Sequence, residues 1–188
     1  MATLRLTILI MRLLFRFSIN LLVAGGFVVI LVWGPKPPAS FARQDPSSMP
    51  AAAKFTTADL SKLRWIEGTW RGTGDVEHPF FERYTFENDS TLVVDSFADE
   101  RVSKVTETTR FELKDGQFGN GGEDSRWAAA VIDDNSITFV PVAKARNSFR
   151  FQRESKDSWK AILNWPATAD KPARQRIYQM TRWPAPSP

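Results

Sequence analysis

The sequence contains no cysteine, one histidine and only two tyrosines in 188 residues. Without cysteine there is no disulfide framework, thiolate nucleophile, cysteine zinc site or lipid-modified cysteine anchor. The single histidine, His78, cannot build a histidine metal site, and no elbow motif surrounds a serine that it could serve as base. Acidic residues are missing altogether from residues 1–42, which carry Arg5, Arg12, Arg16 and Lys36. Of the 25 Lys and Arg in the chain, 21 therefore remain after residue 42, against 21 Asp and Glu. The net charge of +4 belongs to the leader, and the remainder of the chain is neutral. A neutral domain has no overall field to attract phosphate backbones, so no nucleic-acid partner is expected.

Charge is also absent from Phe17 to Trp33, an apolar run of 17 residues preceded by Arg12 and Arg16. Positive flank, apolar stretch and the small residues of Ser40-Phe41-Ala42 are the parts of a secretory signal cut after Ala42. The run also approaches bilayer-spanning length, so an uncleaved signal anchor over residues 17–33 is the alternative, with the arginines held inside. Either way the protein is expected to be exported, to the periplasm or beyond, or tethered by that segment. The only membrane contact expected is through this N-terminal segment when it is not cleaved. Residues 43–55 and 184–188, rich in Pro, Ala and Ser and without periodicity, read as linker and tail. The folded domain is assigned to residues 56–183.

What is abundant is aromatic: 14 Phe and 7 Trp. Thr57 is placed as the cap of a short helical turn whose Leu60, Leu63 and Ile66 share one face. After Ile66 the apolar pattern changes to period two. It predicts strands over 68–75, 79–88, 91–98, 102–114, 126–133, 136–143, 148–154, 158–165 and 174–183. Turn signals such as Asn88-Asp89, Asp115-Gly116 and Asp133-Asp134-Asn135 separate them. No interval has room for a crossover helix, so neighbours should pair antiparallel. The expected fold is all-β: an up-and-down barrel of about eight to ten strands with a short N-terminal helical turn. A β-sandwich is the alternative. Gly119-Asn120-Gly121-Gly122, with no lysine and no helix after it, is read as a flexible hairpin loop and not a phosphate loop.

Alternation sorts these strands into inner and outer faces. One face of the second strand carries Phe80, Glu82, Tyr84 and Phe86. One face of the fourth carries Val105, Glu107, Thr109, Phe111 and Leu113. Each apolar face thus includes a carboxylate, which is costly inside unless paired or wetted. Arg153, in register with Phe149 and Phe151, is the candidate internal partner. In the first strand Trp70, Gly72 and Gly74 share a face. The glycines leave room for a ligand, for a bend, or for a large side chain such as Trp127, Trp159 or Trp165, with the last two readings preferred.

Gly68-Thr69-Trp70, opening the first strand after a helical turn, resembles the G-x-W signature of the lipocalin-like (calycin) superfamily. That resemblance implies a barrel end closed by Trp70, with a basic residue of the last strand over it, here Arg182, in a cation–π contact. Trp65-Ile66-Glu67-Gly68-Thr69-Trp70 and Phe81-Glu82-Arg83-Tyr84 resemble, over residues 60–183, a bacterial family of exported calycin-like domains of uncharacterised role. Gly68 to Gly74 followed by His78-Pro79 is more distantly similar to nitrobindin, a haem-binding barrel. Haem binding would need an axial histidine late in the chain, where only Tyr178 and Met180 stand, so no cofactor is expected.

Glu82 and Glu107 have no nucleophile near them in sequence and no fixed separation, so no catalytic set is assigned and the protein is not read as an enzyme. The functional reading is a carrier of a small apolar or amphipathic molecule, with Trp70, Glu82, Tyr84, Glu107 and Arg153 as ligand-binding candidates. The alternative is a structural or interaction domain whose barrel is filled by its own side chains.

Overall fold

The structure is a computed structural model that describes residues 53–74, 76–121 and 126–184. The leader, nearly all of the 43–55 linker and nearly all of the tail lie outside the described residues. Among those described, no helix is long and apolar enough to cross a membrane.

The chain enters through a one-turn helix, α1 (Thr57–Ser61), and a 3-10 turn, Arg64–Ile66. Thr56, one residue before the predicted Thr57, is the cap. Its hydroxyl accepts from Asp59 N while the Asp59 carboxylate accepts from Thr56 N at 3.0 Å, a reciprocal capping box. Leu60, Leu63 and Ile66 are buried together, as their spacing predicted, and close one end of the sheet.

Ten strands form the sheet: β1 (Gly68–Gly74), β2 (Phe80–Asn88), β3 (Thr91–Phe97), β4 (Val105–Lys114), β5 (Gln117–Gly121), β6 (Arg126–Asp133), β7 (Ser136–Ala143), β8 (Ser148–Arg153), β9 (Ser158–Trp165) and β10 (Arg174–Arg182). Each pairs antiparallel with its sequence neighbours, and β10 returns to β1 with Trp70 opposite Arg182 and Gly74 opposite Tyr178. The sheet closes on itself, which removes its edges and excludes the sandwich.

Two expectations are corrected. Gln117–Gly121 is a strand, so Gly119, Asn120 and Gly121 are not a hairpin loop. The glycines hid the period-two pattern, yet Phe118 and Asn120 are both buried on the inner face. A Cβ at Gly119 would press on the backbone of Trp127 and Ala128, so glycine lets β5 and β6 approach. The fourth strand begins at Val105, not 102. Val102 adopts φ 54, a left-handed conformation costly for a β-branched residue, which ends any strand there.

The interior is one apolar cluster running from Leu60 and Trp70 through Trp159, Phe151 and Phe139 to Trp127. Its rings meet mostly edge to face, as their quadrupoles favour. A second, smaller cluster lies apart from it: Phe81, Phe97 and Val102, with Trp183 packed against them. Phe81 and Phe97 are opposite one another in register on the faces of β2 and β3 that Glu82 and Ser96 do not use. The indole N–H of Trp183 donates to Glu100 O at 3.0 Å, tying the C-terminal end to the loop before β4.

Candidate functional site

Strand register brings three of the predicted site residues into one row. Trp70 on β1 faces Glu82 on β2, Glu82 faces Ser96 on β3, and Ser96 faces Glu107 on β4. Tyr84 follows Glu82 by two residues and so shares its inner face. The alternation of Phe80, Glu82, Tyr84 and Phe86 against Phe81, Arg83, Thr85 and Glu87 is as predicted, except that outward Phe81 is buried by the external cluster.

Glu82 is 5% exposed. The Tyr84 hydroxyl donates to Glu82 Oε2 at 2.7 Å. Burial pushes the Glu82 carboxyl up to about 7; the Tyr84 bond opposes this and the Glu107 charge adds to it. Burial, followed by the Glu82 charge, drives the Tyr84 phenol well above its usual range. Tyr84 therefore stays a donor while Glu82 titrates near neutrality. The Tyr84 ring stands edge-on to Trp159 at 5.4 Å, so the polar pair is enclosed by aromatic walls.

Trp70 seals the helical end of the interior. Its indole N–H donates to Ile66 O at 2.7 Å, and its ring meets Trp159 at 5.9 Å. The Arg182 guanidinium lies 3.9 Å from the Trp70 ring centroid, the cation–π contact expected of the last strand. Arg182 also donates to Glu67 O at 2.6 Å and Lys156 O at 3.1 Å, which fixes it in place.

Arg153 is not brought to either carboxylate. It is the last residue of β8, opposite Trp159, and its Nε donates to Ser155 O at 3.3 Å. Parity put it on the inner face, but at a strand end the guanidinium turns to the adjacent hairpin instead of crossing the core. Among the described residues neither Glu82 nor Glu107 has an ion-pair partner.

The room left by Gly72 is taken by Phe80, whose ring a Cβ at Gly72 would strike. Phe80 rests edge-on against Tyr178 at 5.5 Å. None of Trp127, Trp159 and Trp165 fills that place. Sequence reading also missed Asn120, whose Oδ1 is buried on the inner face of β5 without a hydrogen-bond partner. Its two-residue spacing from Phe118 was the available signal. Trp65 Nε1 and Trp159 Nε1 are likewise buried without acceptors.

The residues do not fit a haem. His78 lies on the exposed loop before β2, Met180 is enclosed by the core, and the Tyr178 hydroxyl accepts from Arg176 at 3.4 Å. Among the described residues no three His, Cys, Asp or Glu gather as metal ligands.

No family model matches the sequence, and no curated protein is significantly similar to it. Among solved structures, "Structure of EF1p2_mFAP2b bound to DFHBI" is similar at 10% sequence identity and a TM-score of 0.34, over 65% of this chain and 98% of that one. At that distance the barrel rests on the strand pairing of this chain itself.

Proposed function

We propose that this chain is an exported, calycin-like carrier that holds a small amphipathic molecule inside its barrel. The carrying observation is the Glu82–Tyr84 pair: a carboxyl and a phenol buried in an aromatic interior, with Glu107 in the same row and no cation beside them among the described residues. An inward charge adds nothing to a purely structural core and costs stability there. A few placed polar groups in an apolar enclosure are instead what orients a small ligand. Export is supported by the acid-free leader, with its apolar run and the small residues ending at Ala42.

Native mass spectrometry of protein isolated from its host tests the carrier reading. A stoichiometric, non-covalent mass that is lost on denaturation is the expected result, and a bare chain overturns the reading. N-terminal sequencing of the same sample is expected to begin at Arg43; a start upstream of Phe17 would leave the segment as a tether.

A structural role is the second reading. It is favoured by Phe80 lying over Gly72 and by the unbroken chain of rings from Trp70 to Phe139.

A further inference from the structure

The charged groups of the interior are unbalanced, and their imbalance names a ligand chemistry; the unpaired donors there, Trp65 Nε1 and Trp159 Nε1, are neutral. Glu82 has one donor, the Tyr84 hydroxyl, for a carboxylate that can accept several. Glu107 stands on the same inner face two strands away, across Ser96, and its charge is felt at Glu82. Asn120 Oδ1, on a residue 5% exposed, faces the same interior from β5 and has no donor at all. A buried acceptor left without a donor forfeits its hydration, so such a group favours anything that brings N–H groups to it.

The basic side chains on inner-face positions are engaged elsewhere. Arg176 donates to the Tyr178 hydroxyl, Arg182 to Glu67 O and Lys156 O, and Arg153 to Ser155 O. Arg174 lies over the Trp165 ring at 4.3 Å. The row therefore presents the buried Glu82 and the half-buried Glu107 carboxylates with no internal cation among the described residues to answer them. The rings of Tyr84, Trp70 and Trp159 pack edge to face beside the row and form its apolar wall, with Arg182 already over the Trp70 ring.

We infer that the barrel selects a cationic amphiphile, an alkyl or aryl ammonium whose N–H groups bind Glu82 with Glu107 adding charge, while its apolar body lies against the aromatic wall. This inference rests on the carrier reading above and adds the sign of the ligand's charge. An ammonium supplies N–H donors and one positive charge, which answers the Glu82 and Glu107 carboxylates. A carboxylate ligand would meet two like charges in a medium that screens them poorly. A neutral alcohol would offer one donor and leave Glu82 without its counter-charge.

Three probes of matched apolar body test it: decylammonium, decanol and decanoate, titrated at pH 8 into the purified protein with tryptophan fluorescence as readout. Decylammonium should bind at least about tenfold more tightly than decanol, and decanoate more weakly than either. Glu82→Gln, nearly isosteric, should bring decylammonium to within about twofold of decanol. Tyr84→Phe removes the internal donor but not the carboxylate, and should keep the preference; this second variant preserves the test should Glu82→Gln fold poorly.

Equal binding of the three probes would overturn the inference and leave the carrier reading standing. A preference for ammonium that survives Glu82→Gln would also overturn it, because the charge read would then lie elsewhere. Binding of none of the three would also overturn the inference, while a bare chain in the native mass measurement is what overturns the carrier reading.

Discussion

The Arg182 guanidinium covers the Trp70 ring at 3.9 Å and joins the last strand to the first. Because Trp70 and Arg182 are also opposite in the β1–β10 register, one contact both seals the helical end and marks where the barrel closes. Removing either side should open that end. Trp70→Ala deletes a fully buried indole and its bond to Ile66 O, and should cost about 3–5 kcal/mol in chemical denaturation. Arg182→Ala, which loses the ring contact and two donor bonds, should cost about 1–3 kcal/mol. A melting temperature unchanged by Trp70→Ala would place that residue outside the core.

Glu82 should make stability depend on pH in an unusual direction for a carboxylate. Its ordinary value is 4.5 and burial raises it to about 7 in the folded protein. Between those values the folded state holds a proton that the unfolded chain releases. Stability therefore falls as pH rises through this window and levels off above it. At about 1.36 kcal/mol per pH unit, the total is on the order of 3 kcal/mol. Asp59, Glu112, Asp133 and Glu154 are all lowered by their hydrogen-bonding partners, so their contributions fade only at more acid pH. Urea unfolding of the wild type should give a higher free energy at pH 5 than at pH 8. Glu82→Gln, neutral throughout, should flatten that slope and be the more stable protein at pH 8. A wild type more stable at pH 8 than at pH 5 would contradict the assignment.

Gly72 is needed because Phe80 occupies the space its side chain would take. Gly72→Ala should cost about 1–3 kcal/mol by overpacking. Phe80→Ala should cost a comparable amount alone, yet the double substitution should cost clearly less than the two single losses added together. Strict additivity in this cycle would mean that the Phe80 ring does not lie over Gly72.

The external cluster should act as a separate unit from the core. Trp183→Ala removes the ring that meets Phe81 at 5.0 Å and the donor to Glu100 O. It should lower stability by about 1–3 kcal/mol and raise amide exchange in residues 98–104. Exchange in the β8–β9 core should fall off only by the global change. Uniform loss of protection along the chain would show that the cluster is continuous with the interior.

Most of the strand plan was legible because a barrel writes its inner face as a two-residue period. Phe80, Glu82, Tyr84 and Phe86 could be placed inside by counting alone. The same count missed β5, where glycines replace apolar residues, since close backbone approach leaves no hydrophobic mark. It also misjudged Arg153, because parity states a face but not whether a long side chain at a strand end turns toward the core or the adjacent hairpin.

Sequence alone determined the neutral, cysteine-free composition after residue 42, the antiparallel meander and the aromatic interior, while the contact of Trp70 with Arg182 was expected only from a family resemblance. These arise from composition, local periodicity, short turns and one short motif, which are properties of neighbouring residues. Tertiary structure decided that the sheet closes, that Glu82, Ser96 and Glu107 form one row, and that no arginine among the described residues answers the carboxylates. Those facts depend on register between strands distant along the chain and on the burial that register creates, which no local pattern encodes.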